Sequence, residues 1–328
     1  MNIVEALYYS GFVYKKHQGL KKQKRLPSPV ISVGNITMGG TGKTPLVIAL
    51  SMEAVARGYK PCILTRGYMS KSGNPRHASM GRGQMSNALD LGDEPVLMAQ
   101  KTKGVEIIVG ADRYKSGTMS GNANLFIMDD GFQHWRLHRD VDIALVDTTS
   151  FGNEKLIPFG SLREPRIGLN RADIIVKTRS DQGEHSEIDK MLNKYGIKSP
   201  IFNAVHNPTY FVNLRGERFG INKFAGKKVF VFAGIGNPEA FKLTLKSLRV
   251  EIAGTMMFRD HHPYSSGDIT ELIRKSISCG AKYLLTTEKD LIKISTISGS
   301  DDIYALGLDL VIDKNFYDTV FSSIEEIK

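Results

Sequence analysis

The sequence predicts an α/β protein: a parallel sheet with helices on both faces, plus a smaller second α/β domain. Three observations carry this. Short apolar, β-branched runs alternate with helical patterns almost throughout, as a sheet covered on both faces requires. The 328 residues, 41% of them hydrophobic, are enough for two cores. Turn signals at Asn207-Pro208 and Arg215-Gly216 then break the alternation, which places a boundary between Val205 and Gly226. The expected domains are residues 1–208 and 209–328, joined by a two-stranded linker to which the last strand returns.

At the N-terminus, Ile3, Val4, Leu7, Tyr8, Gly11 and Phe12 recur at the spacing of one helical face, and Lys15, Lys16, Lys21, Lys22, Lys24 and Arg25 follow. This is an amphipathic helix with a basic end. Its charges come after the apolar stretch, the reverse of a secretory signal. One reading lays the helix in the headgroup region of an anionic membrane, where each Lys or Arg contributes roughly 1 kcal/mol. The other packs it on its own domain, ending in a solvated loop.

The net charge of +10 is local. Residues 1–25 carry an excess of +5, and residues 54–89 add Arg57, Lys60, Arg66, Lys71, Arg76 and Arg82 with no acid. The remainder is close to neutral, so the excess marks particular surfaces for an anionic partner. With Cys62 and Cys279 alone, a disulfide framework is excluded and a reducing compartment is expected. No apolar run is long enough to span a bilayer.

Next along the chain, Pro29–Gly34, Cys62–Thr65, Val105–Val109, Leu125–Met128, Ile143–Val146 and Ile174–Val176 read as buried strands. The segment Ser70–Asn87, rich in Gly, Ser, Met and Arg, reads as a mobile loop. In the second domain Lys228–Ala233, Glu251–Met257 and Tyr283–Thr286 read as strands, with Pro238–Leu248 and Asp268–Cys279 as helices between them.

The first strand runs into Gly34-Asn35-Ile36-Thr37-Met38-Gly39-Gly40-Thr41-Gly42-Lys43-Thr44, and a helical pattern starts at once. Strand, glycine loop, Lys-Thr and helix are the context of a phosphate-binding loop, which makes the sheet P-loop NTPase-like. Gly39, Gly40, Thr41 and Gly42 let backbone N–H groups converge on phosphate oxygens; Lys43 reaches the β and γ phosphates and Thr44 can ligate Mg²⁺. Thr37 stands where the usual first glycine would be. Met38 stands where ATPases that pair face to face carry an extra lysine, which disfavours their mechanism. The strand ending in Asp129-Asp130 has the form of a Walker B segment, with a carboxylate beside the magnesium; a strand closing in a polar turn is the alternative.

Two further groups bear on chemistry. Asp93, in Gly92-Asp93-Glu94-Pro95, is either an N-cap or a base that accepts a proton. Arg259-Asp260-His261-His262 pairs two histidines, but no other ligand spacing supports zinc. The basic residues in 54–89 are not interleaved with a run of aromatics and no nucleic-acid motif is present, so a nucleic acid is not the expected partner.

Taken together, the loop with Pro45, Thr65-Arg66-Gly67-Tyr68, Gly92-Asp93-Glu94-Pro95, Gly110-Ala111-Asp112-Arg113, Asp129-Asp130-Gly131-Phe132-Gln133-His134, Leu162-Arg163-Glu164-Pro165, Asp260-His261-His262 and Thr287-Glu288-Lys289-Asp290 resemble the tetraacyldisaccharide 4′-kinase family of lipid A biosynthesis. The resemblance covers almost the whole chain in order. It implies an ATP- and Mg²⁺-dependent enzyme, peripheral on the cytoplasmic face of the inner membrane through residues 1–25. Such an enzyme phosphorylates the 4′-hydroxyl of an acylated glucosamine disaccharide 1-phosphate, with no protein partner implied. Carried over motif by motif, Asp93 becomes the catalytic base, His261 its dyad partner brought across by the smaller domain, and Lys43 a catalytic phosphate contact. Asp129, Asp130 and Glu164 join Thr44 as metal candidates; Arg66, Arg113, Gln133 and Arg163 become substrate contacts. The alternative is a soluble P-loop kinase or ligase acting on a small polar metabolite, with the N-terminal helix as domain packing.

Overall fold

The computed structural model describes residues 2–67, 74–81, 91–149, 154–183, 185–295, 297 and 302–325. Tyr68, Lys71 and Arg82 lie outside the described residues, as does most of the expected loop at 70–87. The chain divides into two compact units. Met1–Ser86, Met98–His206 and Leu310–Lys328 make the first, Asn87–Leu97 and Asn207–Asp309 the second. Two segments therefore part from their sequence neighbours at the expected 208/209 division. The piece carrying Asp93 joins the second unit, where Val96 and Leu97 pack on Ile292. The helix Lys314–Glu325 joins the first, its Phe316 edge-on to Phe202 and its Phe321 against Tyr59.

The first unit is built on β1 (Val30–Asn35), β2 (Pro61–Thr65), β3 (Arg76–Met80), β4 (Glu106–Val109), β5 (Leu125–Asp129), β6 (Val141–Asp147), β7 (Ile174–Thr178) and the start of β8 (Ile201–Asn213). Their spatial order is β8-β7-β6-β1-β5-β2-β4-β3, parallel except for the β3 edge, which runs against β4. That edge strand lies inside the segment expected to be a mobile loop and corrects it there: Ala78 and Ser79 are buried. Every residue of β1, β2, β5, β6 and β7 is buried, which is why these strands read as unbroken apolar runs. One face packs Val30, Cys62, Leu64, Phe126 and Met128 under Tyr114 of the helix Arg113–Met119. Helix α2 (Lys43–Ala56) packs on β1, β2 and β5 and buries Leu46, Val47 and Leu50. Val33 of β1 lies opposite Asp129 on one side and Ile143 on the other. From β1 the chain passes through α2 to β2 on one side, whereas β5 leads back past β1 to β6 on the other, so the carboxyl end of β1 lies at the switch point where open α/β sheets bind ligands.

Helix α1 (Ile3–Lys21) is closed at its start by a capping box between Asn2 and Glu5. The single apolar face expected from its spacing is divided in two. Tyr8 and Tyr9 pack on the core of the first unit, Phe12 meets Trp135 edge-on, and a Cβ on Gly19 would strike Trp135. Ile3, Val4 and Leu7 instead stay in solvent, Ile3 81% and Leu7 69% exposed. No helix among the described residues is long and apolar enough to cross a membrane.

In the second unit β10 (Lys228–Ala233) lies between β11 (Glu251–Met257) and β12 (Tyr283–Thr287), all parallel, with β13 (Ile303–Ile312) beside β12. The short β9 (Arg218–Gly220) pairs antiparallel with the far half of β8. Phe211, Phe224, Tyr283 and Tyr304 fill the core with edge-to-face contacts. Helix starts are capped by Asn237, by Ser265 in a capping box with Asp268, and by Thr287.

Candidate active site

β1 ends in the glycine loop, and Gly42 takes a left-handed conformation (φ 86°) to turn it into α2. Asn35, the last residue of β1, ties the loop together. Its amide NH₂ donates to Thr37 Oγ1 (3.2 Å) and Thr41 Oγ1 (2.9 Å), while its Oδ1 accepts from Lys43 Nζ (3.3 Å). Thr37, which replaces the customary glycine, is thus buried and hydrogen-bonded. Lys43 is also 3.4 Å from Asp130 Oδ1. Thr44 lies buried in the first turn of α2. Asn35 belongs to the motif read in the sequence, but its tethering role has no sequence signature.

Beside the loop, β5 delivers Asp129 and Asp130 in different states. Asp129 is buried and accepts from Thr65 Oγ1 at 2.9 Å. Asp130 is a non-glycine residue at φ 50°, a strained conformation of the kind found at functional positions. Burial pushes its carboxyl up, but the charges of Lys43 and Arg163 outweigh this and hold it below the ordinary carboxylate value. Arg163 Nη1 reaches both Asp130 oxygens at 2.9 Å. Arg113, expected among the substrate contacts, is only 3% exposed; it donates to the carbonyls of Gly110 and Asp129, so it supports the end of β5 from behind. Burial lowers its pKa to about 10. Glu164 is also buried. Arg171 grips both of its oxygens (2.6 and 2.7 Å), and Gln133 Nε2 donates to it at 2.6 Å and to the Asn35 carbonyl at 2.8 Å. Arg171 was not singled out in the sequence. Its guanidinium lies over Phe132, 3.6 Å from the ring centre.

Arg66 is exposed and lines a cavity of about 600 Å³ in the first unit. Lys15, Lys22 and Arg136 add positive charge to its wall, and Gln133, His134 and Trp135 complete one side. Burial first, then Arg113, lowers the His134 pKa to about 4, so the imidazole is neutral at pH 7.

The second unit holds the other candidates together. His261 Nδ1 lies 3.2 Å from Asp93 Oδ2, and Lys293 Nζ approaches the same oxygen at 3.3 Å. Asp93 and His261 share a unit, so no domain movement is needed to join them. Asp93 Oδ1 accepts the backbone N–H of Glu94 at 3.0 Å, so one carboxylate both serves the helix start and carries a charged group. Burial pushes the Asp93 carboxyl up; the His261 hydrogen bond and the charges of Lys289 and Lys293 win and hold it well below the usual range. The same hydrogen bond raises the His261 pKa against burial. His261 sits at φ 58°, another strained non-glycine position. Lys289 pairs with Glu94, and Asp290 accepts the Gly234 N–H, so the Thr-Glu-Lys-Asp motif supports the dyad's surroundings. Lys293, one turn further on, went unremarked in the sequence because a lysine in a short helix carries no signal. His262 stacks on Phe258 and meets Asp268. Among the described residues no cluster of three or more His, Cys, Asp or Glu side chains could hold a metal by itself.

A glycine loop at the switch point of a parallel sheet, with a lysine tethered at its mouth and a carboxylate-tipped strand alongside, grips phosphates. Fold and loop place the chain in the class of P-loop nucleotide-binding proteins. Within that class it belongs to the tetraacyldisaccharide-1-P 4′-kinase family, whose profile matches residues 3–325. The tetraacyldisaccharide 4′-kinase of Syntrophus aciditrophicus is 40% identical over 313 residues, 90% of this chain and 84% of that protein. That of Geobacter metallireducens is 38% identical over 299 residues, 89% and 86% of the two chains. The crystal structure of the "apo" form of the Aquifex aeolicus family member LpxK, in complex with ATP, superposes with a TM-score of 0.76 at 30% identity. It covers 98% of this chain and 97% of that one.

Proposed function

We propose that this protein transfers the γ-phosphate of ATP to the 4′-hydroxyl of a tetraacyldisaccharide 1-phosphate in lipid A biosynthesis. The observation that carries the reading is the Asp93 carboxylate, held ionised by His261 and Lys293 in a chain that also has a phosphate loop ending in Gly42-Lys43-Thr44. The acceptor oxygen forms a bond to the γ-phosphorus as the bond from that phosphorus to the β–γ bridging oxygen breaks; ADP leaves, and the hydroxyl proton passes to Asp93. Lys43 and the loop N–H groups hold the transferring phosphoryl. A carboxylate this acidic is a weak base, which suits a loose transition state in which the proton departs late and orientation matters most.

The residues fit Mg²⁺. Magnesium keeps several waters and takes one or two carboxylates plus substrate phosphates, so an all-protein cage is not needed. Thr44 and Asp129 would supply hard oxygens for it, with Asp130 the next candidate. Glu164, saturated by Arg171 and Gln133, is the weaker candidate. When bound, the ion neutralises charge on the β and γ phosphate oxygens.

The cavity lined by Lys15, Lys22, Arg66 and Arg136 has the charge to receive the acceptor's own phosphate. Arg163 completes a basic margin beside Asp130. Exposed Ile3, Val4 and Leu7, followed by the lysine-rich end of α1, attach the protein peripherally to the cytoplasmic face of the inner membrane. Purified protein with labelled ATP, Mg²⁺ and detergent-dispersed acylated disaccharide 1-phosphate should place label on the 4′ oxygen; protein that binds ATP but leaves the acceptor unlabelled would reject the assignment. Replacing Ile3, Val4 and Leu7 together by Gln should release it from anionic vesicles while transfer to detergent-dispersed acceptor persists. Undiminished sedimentation with the vesicles would refute the membrane role of α1.

A further inference from the structure

The tip of the phosphate loop has little packing of its own. Gly39 (φ 106°) and Gly40 are exposed, a Cβ on either would meet nothing, and Thr37 removes the customary first glycine. Its carbonyls are nevertheless anchored from one neighbouring strand end. Thr178, the last residue of β7, donates its hydroxyl to the Thr41 carbonyl at 3.0 Å. Arg179 donates to the Gly40 carbonyl at 2.9 Å from one arm of its guanidinium and pairs with the buried Asp147 at the end of β6 through the other. Arg179 takes φ 52°, and the Thr148 hydroxyl holds its carbonyl at 2.6 Å. A bulky residue forced into that conformation needs surroundings that hold it there. Thr178 also sets its methyl group, with the His206 ring, against Gly42, whose Cβ would lie 3.1 Å from His206 Nε2. Burial, with Arg179 adding to it, lowers the His206 pKa to about 4, so the imidazole is a neutral wall.

From this geometry we infer that Thr178 and Arg179 are positioning residues for phosphoryl transfer: they pin two successive peptide units of the loop so that the Gly42 N–H faces the nucleotide phosphates. Peptide planarity supplies the mechanism. The carbonyl of one residue and the N–H of the next lie in one rigid plane and point opposite ways, so drawing the Gly40 and Thr41 carbonyls toward β7 directs the N–H groups of Thr41 and Gly42 away from it. In this structure the Thr41 N–H closes a tight turn onto the Gly39 carbonyl. The Gly42 N–H opens the helix start, where anions bind. This inference rests on the proposal that the loop binds ATP.

The test is steady-state kinetics with each substrate varied, alongside thermal unfolding. Thr178→Val keeps the methyl contact with Gly42 and removes only the hydroxyl; it should raise KM for ATP about three- to tenfold, as expected for one lost hydrogen bond. KM for the acceptor should not move, and Thr178→Ser should restore wild-type values. Arg179→Ala would strand a buried carboxylate and risks misfolding. Arg179→Lys keeps a charge for Asp147 but lacks the second arm, and should reproduce the ATP defect. Lys43→Ala is the reference. If it is impaired while Thr178→Val and Arg179→Lys keep the wild-type KM for ATP, the brace is overturned; a lowered melting temperature with unchanged KM for ATP overturns it equally. If Lys43→Ala is itself unimpaired, the phosphate-loop reading fails instead.

Discussion

Asp93→Asn is expected to lower kcat by about 10²- to 10⁴-fold, the range spanned by removing a positioned general base. The change keeps shape, and asparagine's carbonyl oxygen can still meet His261, so what is lost is the charge that accepts the acceptor's proton. The fold should survive. Lys293, left by Asp93, retains Asp290 at 3.5 Å, so no buried cation is stranded. ATP binding should be unchanged, because the carboxylate belongs to the second unit and the phosphate loop to the first. Turnover at the wild-type rate would end the assignment. The partner can be tested separately through pH. Asp93 acts when ionised, so the acid limb of the kcat profile follows its ionisation, which burial alone would move upward. The His261 hydrogen bond is the largest influence opposing burial. His261→Ala removes it, the carboxyl becomes harder to ionise, and the acid limb should shift toward neutral pH. Lys293→Met should shift it in the same direction. An acid limb unmoved in both variants would show that neither group tunes Asp93.

The fully buried strands were legible because burial on two faces leaves unbroken apolar, β-branched runs. Cys62–Thr65 and Ile143–Val146 fall within β2 and β6, and Lys228–Ala233 is β10 itself. Among elements of mixed exposure, β11 was still read from its own run, but two others gave no such signal. The thirteen-residue β8 buries only Ala204, Phe211 and Asn213 and contains Pro208, so it reads as turns around short pieces. The β3 edge strand hides in a Gly- and Ser-rich stretch because its partner covers only one side. At the site, residues in a recognisable local motif were found, whereas those supplied by tertiary packing were not. Arg171 on Glu164, Lys293 on Asp93 and Arg179 on the Gly40 carbonyl each join residues that no spacing rule links. The same limit explains why Arg113 read as a substrate contact. Its motif gives its identity, and only packing reveals a guanidinium enclosed beneath Asp129.

Lys43→Ala should reduce kcat by about 10²- to 10³-fold, comparable to losing one preorganised donor aimed at developing charge. The argument turns on separating catalysis from stability. Lys43 contacts Asn35 and Asp130, and both are supported without it: Asn35 still donates to Thr37 and Thr41, and Asp130 still takes Arg163. The Lys43–Asp130 pair is partly solvated, so its loss should cost the fold no more than about 1 kcal/mol. A variant with near wild-type unfolding and a large fall in turnover would therefore locate the effect in the transition state. Lys43→Arg should fail to rescue, because a point charge at the end of a flexible stem fits the narrow loop mouth where a planar guanidinium of five donors does not. Full activity in the alanine variant would move the phosphate grip away from this loop. Restoration by Arg alone would mean that charge, and not the geometry set by Asn35, is what the loop supplies.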